Sequence, residues 1–526
     1  MVNHSRDIMP ELVESPPSGF TGIPLLLTAV VLTAMAAGTG WGIRGQYGHE
    51  TGAMIAGTLA ALTLVLLFIP NALSLNGARA AAMMASAIGI GGSMTYGQTV
   101  GLSHDHEIIG NVEAWRWGML GLFLKGGVWI GFGGFFLGLG LGGKRYRALE
   151  LTIMLAAAVA LYVFGVWLIN SPFDPGNKRL PILYFSDHWQ FEPDRFAAGL
   201  IKPRWEMFGG YWMALIGLVC YARVIRGDKL ALRMAIVGII AGGLGFFGGQ
   251  CTQSAHAWHP EWFQDGGMLG FGASVFNRLN WWNVMETSFG VIWGSIMGFG
   301  LWLNRGLIDV KEADDHVSLS APVEILLACL YVSFVLVGDF GYLNPDRLPV
   351  FRTEFALSHT FEFISYWYVE VGIVLAAIPL IGIAGGRMWP YMMLLLMIAI
   401  PICGKTLRAV GFNPDNMWQP GLAWFCLVQM PLAWGIVISA WLIQKNQRHT
   451  TATFAGVTLI FTSVLYFSLN SVFWAIWPFG PDVAWSQLNP NQIFNFTAMV
   501  LLVATSLLVL VTHRNITVPV GKEADS

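Results

Sequence analysis

Charge is scarce in this sequence: Asp, Glu, Lys and Arg make up 11% of its 526 residues. Soluble domains carry about a quarter of their residues as charges, so a soluble class is excluded. A basic surplus is missing too. The net charge is −2, and with no basic stripe to neutralise phosphates no nucleic-acid partner is expected. Cysteine is sparse: Cys220, Cys251, Cys329, Cys403 and Cys426 lie in or at the ends of apolar segments and form no CxxC pair. That pattern implies no disulfide framework and does not report the redox compartment.

Signatures of readily recognised enzymes are absent as well. There is no P-loop, no GxSxG elbow, no HExxH and no dinucleotide fingerprint after a strand. Lack of an ATP-binding loop argues against a primary pump acting alone, and no cofactor is expected. The first twenty residues are polar, include Pro16 and Pro17, and lack a basic region followed by a cleavable apolar stretch. A retained cytoplasmic tail over residues 1–20 is expected rather than a signal peptide.

What the chain has is apolar length, with 55% hydrophobic residues. Runs of about 20 residues, enough for a ~30 Å hydrocarbon core, fit about fourteen times. The expected fold is all-α, a polytopic transmembrane bundle. Helices are expected to begin near Gly22, Glu50, Ala78, Trp117, Leu149, Trp205, Leu230, Trp281, Pro322, Tyr366, Met388, Leu422, Thr450 and Gln492. Lys and Arg cluster in alternate short connections at 144–147, 223–233, 305–311 and 445–448. The positive-inside rule puts these, and both termini, in the cytoplasm. The expected location is the inner (plasma) membrane, with the lipid bilayer as a partner. The other connections are longer and richer in aromatic, acidic and histidine residues, and should face outward.

Polar residues recur along the chain. Glu50, Glu206 and Glu370 each open an apolar run at an expected outer end, about 160 residues apart, which suggests repeated four-helix blocks. The expected divisions are 21–147, 148–312 and 313–448, then a terminal helix pair at 449–514 and a cytoplasmic tail at 515–526. In each block a second helix ends in a polar group containing Gln98, Gln250 or Lys405. A third carries one polar residue ahead of Trp and Gly: Lys125 before Trp129, Glu286 before Trp293, Gln429 before Trp434. A carboxylate at bilayer depth costs about 2.5–3.5 kcal/mol, so three in equivalent places suggest a polar cavity kept for use.

The densest polar stretch is Trp41-Gly42-Ile43-Arg44-Gly45-Gln46-Tyr47-Gly48-His49-Glu50. Arg44 offers a planar fork suited to a carboxylate, sulfate or phosphate, and glycines permit close backbone approach; alternatively, this is a structural turn in which Arg44 neutralises Glu50. Lys125 and Glu286 lie within helices, either as coupling-ion groups or as closed structural pairs with each other, Glu206 or Glu370. His104, His106, His256 and His259 occupy equivalent outer loops, but without the helical spacing of a metal motif no metal is expected. The 23 tryptophans suit an interfacial belt, with a few of Trp189, Trp205, Trp258, Trp262, Trp281 and Trp282 free to stack on a sugar or cap an organic cation beside Gln98, Gln250 and Asn283.

Together these features point to a secondary transporter of a small polar organic solute, a sugar or organic anion, coupled to protons or sodium. Arg44, His49, Gln98, Gln250, Trp281 and Asn283 would contact substrate. Glu50, Glu206, Glu286, Glu370 and Lys125 would serve ion coupling. The competing reading is a membrane-embedded transferase or hydrolase at the outer leaflet, acting on a saccharide or lipid-linked substrate with His49 or His106 as base and residues 170–204 covering the site.

Overall fold

The computed structural model describes residues 22–94, 96–186, 188–310, 317–335, 372–412, 418–445, 448–479 and 489–513. Within them the chain is helix and turn, with no strand. The principal helices are α1 (Ile23–Ile43), α2 (Glu50–Phe68), α3 (Ser74–Ile90), α4 (Val112–Leu141), α5 (Ala148–Ile169), α6 (Phe208–Ile225), α7 (Lys229–Trp258) and α8 (Trp281–Leu303). They continue as α9 (Ala321–Val335), α10 (Gly372–Gly385), α11 (Trp389–Val410), α12 (Gly421–Gln444), α13 (Thr451–Phe473) and α14 (Pro490–Thr512). Eleven helices among the described residues are long and apolar enough to cross a membrane. This is a multi-pass membrane protein.

Helix starts follow local chemistry. Asn111, Asp228, Asn280 and Thr450 each sit just before a helix and accept a backbone N–H from its first turn, which satisfies a donor that has no intrahelical partner. The largest departure from expectation is α4. It begins at Val112, ahead of Trp117, because the Asn111 cap sets the boundary upstream of the apolar run. The start expected near Tyr366 lies outside the described residues.

Small residues decide which helices meet. A Cβ on Gly242 of α7 would lie 1.9 Å from the Gly126 carbonyl oxygen of α4, and one on Gly134 would lie 2.1 Å from the Met234 carbonyl oxygen. Along α8, Gly290, Gly294 and Gly298 face Ala37, Thr33 and Ala29 of α1 at the same four-residue step. Such backbone approach is how helices associate where lipid removes the hydrophobic drive. Both contacts run across the expected block boundaries, joining the first block to the second. The pairs that the block reading makes equivalent also differ: α2 lies along α3, whereas α6 and α7 touch only slightly.

The basic connections gather at one end. Arg226 pairs with Glu150 at 3.0 Å, Arg233 donates to Asn304 at 3.2 Å, the Asp309 N–H donates to the Leu141 carbonyl, and the Ser74 N–H donates to that of His449. Gly22 is there as well, its carbonyl accepting from Trp302 Nε1. At the opposite end Trp258 Nε1 donates to the Ser103 carbonyl at 2.8 Å, and His188 meets Asp105. α2 is buried along nearly its whole length, while α5, α12 and α14 turn most of their surface outward.

Candidate functional site

At the end opposite the basic connections a cavity of about 800 Å³ opens between the last turns of α1 and α13 and the first turns of α8 and α14. Its walls are amides and aromatics. From α8 and its cap come Asn280, Trp282, Asn283 and Glu286; from the end of α13 and the following turn come Asn470, Phe473, Trp474 and Trp477. α14 and its cap add Asn489, Asn491, Gln492 and Asn495, and the turn after α1 adds Gly45 and Gln46.

These amides are held by one another and by backbone. Asn283 Nδ2 donates to the Gly42 carbonyl at 2.5 Å, Thr39 Oγ1 to Asn495 Oδ1 at 3.0 Å, and Gln492 Nε2 to Ser471 Oγ at 2.7 Å. Gln46 Nε2 donates to Asn470 Oδ1. Asn491 Oδ1 is different: it is buried and has no hydrogen-bond partner among the described residues. A buried acceptor left unmatched is costly unless a ligand or water satisfies it.

Behind the wall lies Arg44. Its Nη2 donates to Tyr96 Oη at 2.6 Å and to Glu286 Oε1 at 3.1 Å. The guanidinium carbon also sits 4.7 Å from the Trp41 ring, 5.2 Å from Tyr96 and 5.4 Å from Trp129. An aromatic cage and a carboxylate thus hold one buried cation. Arg44 does not neutralise Glu50 by direct contact, as one sequence expectation had it. Its ion partner is Glu286, on a helix 242 residues away. Glu50 accepts from Ser93 Oγ at 3.4 Å and remains within electrostatic reach of Arg44.

Lys125 and Glu206 form a second buried pair at 2.6 Å, with side chains 1% and 0% exposed. Thr99 Oγ1 accepts from Lys125 Nζ at 2.7 Å, Ser186 Oγ donates to Glu206 Oε1, and the Phe185 N–H donates to Oε2, both at 2.8 Å. This network clamps the segment before α6 onto α4. It opens on none of the cavity residues. Of the acidic groups, Glu286 borders the cavity, Glu206 is sealed with Lys125, Glu50 is near Arg44 but not among the cavity lining residues, and Glu370 lies outside the described residues.

The other expected contact residues are dispersed. Trp281 stacks on His256 at 4.2 Å, and the cavity indole is its neighbour Trp282. One step along a helix turns the side chain by about 100°, so Trp282 and Glu286, four apart, share a face that Trp281 leaves. Gln250 is fully buried, donating to Ser103 Oγ at 2.7 Å. Gln98, with its carbonyl oxygen towards Arg204, accepts from Nε at 2.7 Å. His49 is exposed at the mouth of the Arg44 turn, its ring edge-on to Tyr96 at 5.3 Å. Asn283 lines the cavity as expected. The amides of α13 and α14 went unnoticed in the sequence apart from Gln492, although Asn489-Pro490-Asn491-Gln492 is a dense amide signal at a helix start.

No family model matches this chain, and no curated protein does. The cavity and its ion pair must therefore be read on their own chemistry. The described lining residues include one carboxylate, Glu286, and no histidine. No group of three His, Cys, Asp or Glu side chains among the described residues could hold a metal ion.

Proposed function

We propose that this protein is a secondary transporter of a small polar organic solute, coupled to protons or sodium, in the plasma membrane with its basic end and both termini in the cytoplasm. The observation that carries the reading is a cavity of about 800 Å³ with a carboxylate in its wall, backed by a caged arginine. Cavities of about 300–1,000 Å³ suit small-molecule ligands. A carboxylate at the edge of such a space, inside a membrane bundle, marks an ion or proton pathway by default. Glu286 would take the coupling ion, with Arg44 as the counter-charge that it releases or regains. Glu50 is the second acidic group near Arg44.

The alternative, a transferase or hydrolase at the outer leaflet, has less support. Glycoside hydrolysis generally uses two facing carboxylates, and the described wall offers one.

Reconstitution in liposomes tests the transport reading. With a proton or sodium gradient imposed, labelled solute should accumulate inside. Glu286→Gln should abolish accumulation while retaining equilibrium exchange across the membrane. Chemical conversion of the solute without net uptake would overturn transport in favour of the enzyme.

A further inference from the structure

From the cavity wall we infer the substrate class: a neutral polyhydroxylated solute of mono- or disaccharide size, not an organic anion. The inference rests on the transport reading and narrows it. The described wall carries no cationic side chain. Arg44 lies behind Glu286; its Nη2 is engaged by that carboxylate and by Tyr96, and its Nε and Nη1 are buried in the aromatic cage without a hydrogen-bond partner among the described residues. An anion entering the cavity therefore meets Glu286 first and would be desolvated beside a like charge. An organic cation fares little better, because it would compete with the coupling ion for Glu286, the one carboxylate of the described wall.

Neutral hydroxyls fit what remains. A hydroxyl both donates and accepts, and so does a carboxamide; the wall presents amides from α8, α13 and α14 around three indoles. Asn491 Oδ1, buried and unmatched among the described residues, is an acceptor waiting for a donor. Trp282, Trp474 and Trp477 supply flat apolar faces for the C–H side of a sugar ring. Gly45 completes the fit. A Cβ there would lie in van der Waals contact with Glu286 Oε2, at 3.4 Å, so a larger side chain at residue 45 would compete with a solute hydroxyl for the carboxylate.

The test uses the purified full-length protein with glucose, sucrose, trehalose, glucuronate and glucosamine as probes. Binding is read by tryptophan fluorescence, and movement by counterflow in proteoliposomes. A neutral saccharide should bind and exchange, and Asn491→Ala should weaken its binding by about tenfold, the factor carried by one lost hydrogen bond. Leu508→Ala, on the outward face of α14, should leave binding unchanged; monodisperse elution of both variants shows that they fold. Gly45→Val should block binding of the neutral sugar while preserving the fold. Preference for glucuronate or glucosamine over every neutral sugar would overturn the substrate class and leave transport standing. Binding of a neutral sugar without counterflow would uphold the class and overturn transport. No binding and no movement of any probe would overturn the substrate class.

Discussion

At the scale of single residues, two buried ion pairs of similar chemistry sit in different surroundings. Arg44–Glu286 borders a cavity, with the Glu286 side chain 4% exposed at its wall. Lys125–Glu206 is enclosed by Thr99, Ser186 and the Phe185 N–H, with nothing open beside it. Removing one member of a buried pair strands the other charge, at a cost of about 3–5 kcal/mol. Lys125→Met should therefore lower the thermal unfolding midpoint in detergent more than Arg44→Met does, because Glu286 gains solvent from the cavity and Glu206 cannot. The double replacement Lys125→Met with Glu206→Met should recover most of the loss. Equal midpoints for the two single variants would remove the distinction between a closed pair and one beside a cavity.

Among the elements, connections at the end opposite the basic ones are fastened by a charged latch. His188 Nε2 lies 3.0 Å from Asp105 and Nδ1 lies 2.9 Å from Glu192. His104 approaches Asp105 at 3.6 Å, and Arg195 joins Glu107 to Glu192. Burial alone would lower the His188 pKa, but its bonds to Asp105 and Glu192 outweigh burial and hold it above the usual histidine value. Burial would raise Asp105, and the hydrogen bond from His188, with His104 and Arg195 nearby, brings it below the usual carboxylate value. The sign follows from linkage. The raised histidine stabilises docking fully below its ordinary pKa, and that contribution is lost as pH rises through the raised value. The depressed aspartate loses its contribution as pH falls through its lowered value. Hydrogen exchange in 100–108 and 188–197 should thus be slowest, once corrected for intrinsic rates, at mildly acidic to neutral pH and quicken on the alkaline side. Asp105→Asn should flatten that alkaline dependence; an unchanged profile in the variant would show that the latch does not control docking.

The elements also show why helix partners were hard to read. Glycine runs in α4 and α7 are visible in the sequence as close-packing faces, and the structure presses them together at Gly126 and Gly242. Nothing in either run names the other as its partner, since any small-residue stripe can accept another.

Over the whole molecule, charge sorts the two ends. Lys144, Arg226, Arg305 and Arg448 belong to connections at one end, and the amide cavity opens at the other. The proposed orientation rests on the positive-inside rule. In a background with the five native cysteines replaced, Gly266→Cys should react with an impermeant maleimide on intact cells, and Lys144→Cys should react only after permeabilisation. Labelling of Lys144→Cys from outside would invert the topology and turn the cavity towards the cytoplasm.

The sequence by itself determined the membrane class, nearly every described helix start and the division of charge between ends. Each is a local property: apolar length, a capping side chain, or a basic residue beside a span. Only the tertiary structure decided that Glu286 faces a cavity while Glu206 is sealed, that Arg44 serves Glu286, and that Trp282 rather than Trp281 joins the wall. A helix between lipid and a packed core is apolar on both sides, so its pattern carries no mark of which face turns inward. The partners that settle each polar residue's role come from helices far apart in the chain, and their meeting is fixed by packing alone.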